Sequence, residues 1–151
     1  MTLHVRRVVT GHDPQGKAIV TSDEVLSNVT SRRPGQEGCV VWATDRIPAD
    51  NLDPDDGSRK TAGTTVPNGA VFRIVRYEAG AIGHMHRTQS LDYGVVLSGA
   101  IVLELDDGAQ VALAAGDVLV QRGTIHNWIN RGAEPCIIAF VLVASLPISS
   151  V

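Results

Sequence analysis

Three of the five histidines lie in the second half of the chain: His84, His86 and His126. In His84-Met85-His86 the imidazoles are two positions apart. On an extended strand such residues project from one face, roughly 6.6–6.8 Å apart along the chain. Two imidazoles reaching inward from that spacing can share one ion at about 2.1 Å each. Met85 then points the other way. His126 opens another run in which Trp128 and Asn130 share its parity. A strand lying opposite the pair would bring His126 in as a third nitrogen. The competing reading takes the pair as surface residues and His126 as a packed core histidine.

Other catalytic chemistry is scarce. There is no Gly-x-Ser-x-Gly elbow and no phosphate-cradling glycine loop, and neither Cys39 nor Cys136 adjoins a histidine. If the protein is an enzyme, a metal carries the reaction. Trp128 is expected to line the histidine cavity, with core packing as the alternative. Arg73 and Arg76 have opposite parity, so at most one faces inward, where it could clamp a carboxylate through two hydrogen bonds. Arg73 is taken as the pocket residue. Arg87, directly after His86, is expected to point away.

The elements that must position these groups read as strands nearly everywhere. Gly reaches 15 residues and Val and Ile are abundant, while no window sustains helical periodicity. Leu3 to Asp13, Lys17 to Val25 and Gly38 to Thr44 read as strands. Asp45 to Gly69, with three Pro and five Asp, reads as a long exposed loop of open role. Strands follow at Val71 to Tyr77, Asp92 to Leu97, Ala100 to Leu105, Ala109 to Leu113, Val118 to Gln121, Ile125 to Ile129 and Cys136 to Ala144. Asp106-Asp107-Gly108 supplies a tight hairpin connection with glycine placed for a positive φ. Such spacing means an all-β sandwich or barrel.

At 151 residues the chain makes one domain. Residues 1–70 carry the N-terminal strands and polar loop, and 71–151 the barrel core. A net charge of −3 without a basic cluster argues against nucleic acid or an anionic membrane as partner. The longest apolar run, Ile137 to Ala144, is far short of the ~20 residues of a membrane span. No apolar leader follows Met1, and the two cysteines read as buried thiols, so a cytoplasmic protein is expected.

Residues 80–99, with His84-Met85-His86, Asp92 and Gly99, and residues 116–130, with Gly116-Asp117, Gly123, His126 and Asn130, resemble the two motifs of the cupin superfamily. The resemblance covers Val71 to Val143 and implies a small conserved-barrel cupin, a double-stranded β-helix or jelly roll. It also implies one divalent transition metal ion (Fe, Mn, Ni, Zn or Cu) inside the barrel, and a homodimer built through N-terminal strands such as Leu3 to Val9. Departures are a three-residue loop between Gly80 and His84, five residues between His86 and Asp92, and a missing proline where Gln121 or Arg122 stands. The ligands implied are His84, His86 and His126, with Asp92 or Gln89 as fourth. Asn130 matches the family's structural asparagine.

Three functions follow. The first is metal-dependent lyase, isomerase, decarboxylase or dehydratase chemistry on a small carbonyl or carboxylate compound, with Asp92 or bound water moving protons. The second is an Fe(II)-dependent dioxygenase, and the third a non-catalytic metal- or ligand-binding cupin. Val95, Val96, Leu97, Ile101 and Leu103 suggest an apolar interior that favours a ketone or aromatic acid over a sugar.

Overall fold

A computed structural model describes residues 2–60 and 63–148. Its elements are β1 (Arg6–His12), β2 (Ala18–Val25), β3 (Thr30–Arg33), β4 (Gln36–Thr44), a 3-10 turn (Gly57–Arg59), β5 (Ala70–Tyr77), β6 (Ser90–Ser98), β7 (Ala100–Leu105), β8 (Gln110–Ala114), β9 (Val118–Arg122), β10 (His126–Ile129) and β11 (Cys136–Ala144). The all-β expectation holds. The expected strands appear with ends displaced by a few residues, and β3 is an addition. β3 reads Thr-Ser-Arg-Arg and is exposed throughout, so it has no hydrophobic alternation to announce it. The Asp45–Gly69 loop holds the short turn and a lining role described below.

Three antiparallel sheets form. One is the β1-β2 hairpin, one has the order β10-β7-β8, and the largest runs β3-β4-β5-β11-β6-β9. The two larger sheets enclose the main core. Strict alternation on β11 sends Cys136, Ile138, Phe140 and Leu142 inward, where they meet Val75 and Tyr77 of β5, Ile101 and Leu103 of β7, and Trp128 of β10. A second cluster lies on the outer face of the large sheet, where Leu3 and Leu26 cover Cys39, Val41 and Ile74. Both cysteines are free and buried. Burial raises both thiols, Cys136 to about 11. In the β7–β8 hairpin Gly108 has φ +85°, and its N–H donates to the Leu105 carbonyl.

Outer positions of β6 and β9 are apolar yet exposed: Tyr93, Val95, Leu97, Val118 and Val120. This corrects the expected role of Val95 and Leu97, which face away from the interior. Val96, Ile101 and Leu103 are buried, but in the packed core and not around the cavity. Among the described residues no helix is long and apolar enough to cross a membrane.

Candidate metal and substrate site

The histidine pair does not sit on a strand. Residues 78–89 link β5 to β6, and within that link residues 81–86 dock along β10, on the side opposite β7. Gly83 N–H donates to the Trp128 carbonyl at 2.9 Å. His86 and His126 exchange both backbone hydrogen bonds, at 3.0 and 2.9 Å, and Asn130 N–H reaches the Ala81 carbonyl at 2.9 Å. His86 and His126 are thus cross-strand neighbours through isolated bridges rather than a ladder. The close approach needs Gly83, because a Cβ there would stand 2.6 Å from Asn127 Oδ1 and 3.1 Å from the Trp128 carbonyl oxygen.

The three rings gather at one place. Ring centroids are 4.3 Å apart for His86–His126 and 4.8 Å for the nearly parallel His84–His86 pair. His86 Nδ1 lies 2.8 Å from the His84 carbonyl oxygen, and His126 Nδ1 lies 2.9 Å from that of Thr124. Carbonyls only accept, so each Nδ1 carries a proton, and in the neutral imidazole the lone pair is left on Nε2, the arrangement that orients a metal-binding imidazole. Desolvation lowers the pKa of the buried His126 and favours its neutral form. His84 is exposed, and its pKa is lowered by desolvation and then by Arg33. Arg33 Nη1 rests against the His84 ring nitrogens, 2.9 Å from Nε2.

Asp92 is buried on β6, and it meets Gln121 rather than a histidine. Gln121 Nε2 donates to Asp92 Oδ2 at 2.9 Å and lies 3.2 Å from His126 Nε2, while Ser90 Oγ donates to Asp92 Oδ1. Gln121 Oε1 is buried without a partner. The sequence marks Gln121 only as a replacement for a proline. The available signal was its inward parity on β9, shared with the partly buried Leu119 between the exposed Val118 and Val120. Gln89 lines the same cavity.

Among the described residues no group of three or more His, Cys, Asp or Glu has the geometry of a formed metal site. The donor chemistry nevertheless fits a divalent transition ion. The His84, His86 and His126 rings gather at one place; the Gln121 amide nitrogen meets His126 Nε2 at 3.2 Å and Arg33 meets the His84 ring, so a bound ion would take the place of these two contacts.

These groups line a cavity of about 740 Å³ between the sheets. Trp128 is buried in its wall, edge-on to His126 with centroids 5.9 Å apart and braced by Phe140 at 5.6 Å. Arg73 faces the cavity. Arg76 lies on the opposite face and pairs with Glu78 and Glu37. Arg87, expected to point away, also lines the cavity, as do Arg32 and Arg33. The wall is therefore mixed: Arg32, Arg33, Arg73 and Arg87 share it with one carboxylate, Asp92, and with Val75, Tyr77, Trp128, Phe140 and Leu142. Gly63, Thr64 and Thr65 of the long loop complete the wall. Asn130 is structural, donating to the Tyr77 and Glu134 carbonyls and accepting from Gly132 N–H.

Comparison with known proteins agrees with this fold. The cupin domain family matches residues 73–143. The chain is 32% identical over 148 residues to a cupin-domain-containing oxidoreductase of Aspergillus ruber, spanning 92% of this chain and 72% of the relative. It is 38% identical over 134 residues to the phomopsin biosynthesis cluster protein C' of Diaporthe leptostromiformis, spanning 83% and 70%. Among solved structures it resembles a conserved Klebsiella pneumoniae protein with a double-stranded β-helix domain, with a TM-score of 0.56 and 20% identity over 78% of this chain and 84% of that one. It also resembles KdgF from Halomonas sp., with a TM-score of 0.53 and 20% identity over 76% and 84%. Fold, motifs and relatives agree: the chain belongs to the cupin family.

Proposed function

We propose that this cupin is a metal-dependent enzyme acting on a small anionic carbonyl or carboxylate compound, with His84, His86 and His126 holding the ion. The observation that carries the reading is the pair of imidazoles, His86 and His126, with both Nδ1 atoms tied to backbone carbonyls beside an arginine-lined cavity. A bound Fe, Mn, Ni, Zn or Cu ion would supply Lewis-acid or redox chemistry there. The chain's own residues do the rest. Arg73 attracts and orients the negative end of the substrate, and Trp128 gives its body an apolar wall. Gln121 fixes Asp92 and offers Oε1 as a further ligand atom, while Gln89 lies within the same wall. Asp92 is the carboxylate available to move a proton.

Oxidation of the substrate is the reaction type that the relatives' names favour, the Aspergillus ruber protein being named an oxidoreductase. Dioxygen as oxidant, with iron as the metal, is one form of it. Non-redox lyase or isomerase chemistry uses the same site and is the second reading, supported by the single carboxylate among the lining residues. Metal-loaded protein incubated with a panel of small aldehydes, ketones and carboxylates, with and without air, separates the two. Turnover that needs air supports oxidation, equal turnover without air supports the non-redox reading, and no turnover by metal-loaded protein leaves a binding cupin. Two buried free thiols support a cytoplasmic setting. The exposed apolar row on β6 and β9 supports a homodimer.

A further inference from the structure

A smaller cavity of about 200 Å³ lies behind the main one, and Arg73, Arg32 and Gly63 line both. Its remaining wall comes from Asn28, Thr30, Gly38, Cys39, Val40 and Ser58. Two of these residues carry buried polar atoms without a partner: Arg73 Nε, a donor, and Asn28 Oδ1, an acceptor. The amide orientation of Asn28 is set, because its Nδ2 donates to the Val40 carbonyl at 2.9 Å. No carboxylate among the described residues pairs with Arg73. Burial is the main effect against its charge and Arg32 adds to it, while Tyr77 and Cys39 offset part of the loss.

A half-buried guanidinium facing a second cation is costly unless an anion meets it. The backbone has made room for this one. Gly38 sits inside β4, a poor place for glycine in a strand, and a Cβ there would come within 3.1 Å of Arg73 Nη2. Water could serve the Asn28 oxygen, but it brings no charge to Arg73. One ligand group answers both orphans, a carboxylate for the guanidinium carrying an adjacent hydroxyl or N–H for the amide oxygen.

We infer that the side cavity is a carboxylate subsite, in which Arg73 and Asn28 receive a 2-hydroxy- or 2-amino-type carboxylate. This deepens the proposed function and rests on its reading of the main cavity as the substrate site. The ligand's carboxylate would lodge behind Arg73 and its remainder would extend toward His86 and His126. Specificity then divides between two residues, with Arg73 selecting the charge and Asn28 the neighbouring donor.

The test titrates glycolate and acetate into the full-length protein at constant ionic strength, following the Arg73 Nε–H resonance by NMR. Glycolate is expected to shift that resonance and to bind about tenfold more tightly than acetate, one hydrogen bond's worth of discrimination. Arg73→Met abolishes both interactions, whereas Asn28→Leu reduces glycolate to the level of acetate. Should Arg73→Met fail to fold, the glycolate-to-acetate ratio in Asn28→Leu decides the matter alone. Equal binding of the two acids, an unchanged ratio in Asn28→Leu, or no shift with either acid overturns the inference. Metal uptake is measured on the same samples. Uptake without carboxylate binding removes the subsite and leaves the proposed function standing. Carboxylate binding without uptake removes the proposed metal chemistry while upholding the subsite.

Discussion

Replacing Asp56 by Asn is expected to loosen the loop that walls the cavity. Arg7 of β1 is 5% exposed, and its guanidinium is held by Asp56 Oδ1 at 2.7 Å, Asp56 Oδ2 at 3.0 Å, Glu24, and the Val41 carbonyl at 3.2 Å. Asp56 also accepts from Ser58 N–H at 2.9 Å, opening the short turn that leads toward the lining residues Gly63 to Thr65. Asn keeps the shape and one acceptor but removes the charge. The Arg7 cation is then left with Glu24, which is half exposed. Breaking a fully buried pair costs about 3–5 kcal/mol. With Asp56 31% exposed and Glu24 still present, about 2 kcal/mol is expected. For a chain of this size that lowers Tm by about 4–8 °C at neutral pH. The Arg7 hydrogen bonds hold the Asp56 carboxyl well below its ordinary value. Its contribution is therefore full above the unfolded-state value of about 3.9 and is lost as pH falls through the depressed folded value. Thermal melts of parent and variant from pH 7 downward should converge in acid. A difference below about 0.5 kcal/mol at pH 7, the size of an ordinary surface pair, would refute the clamp.

Trp128→Ala should cost about 3–5 kcal/mol in urea unfolding, since the ring is buried against His126, Tyr77 and Phe140. Trp128→Phe should lose distinctly less, and equal losses would argue against edge-on packing. Gly83→Ala should displace the histidine segment from β10, lowering stability by about 1–3 kcal/mol and weakening metal uptake; unchanged uptake would count against the docking described. Both thiols should stay unreactive toward Ellman's reagent at pH 8 until the chain unfolds, because burial raises their pKa values. Sedimentation should give twice the 16.0 kDa chain mass, and Val120→Asp should reduce it to the monomer. A monomeric parent would refute the dimer.

Abundant Val and Ile and the regular spacing of glycine-rich turns made most of the barrel legible, whereas which residues of β11 face inward became clear only from burial, because that strand is apolar at every position. β3 lacked that signature, since its four residues are polar and its pairing with β4 is irregular. The His84–His86 pair drew notice for its spacing, but its strand assignment failed. Gly80, Gly83 and the polar run at Arg87 to Gln89 let that segment leave the sheet and dock on β10. The arginines of the cavity were illegible for a different reason. Arg32 and Arg33 of β3, Arg73 of β5 and Arg87 of the link between β5 and β6 come from separate segments, and only the tertiary fold brings them to one wall. Leu97 and Val95 misled because an apolar residue on a strand announces a covered face without saying which side covers it.

The most direct test of the account is metal content by plasma mass spectrometry on untagged protein, with His86→Ala and His126→Ala beside the parent. One equivalent of a single transition metal in the parent, lost in both variants while their folds persist, is the result predicted. A folded parent that carries no metal and takes up none of Fe, Mn, Ni, Zn or Cu would contradict it and return the three histidines to packing.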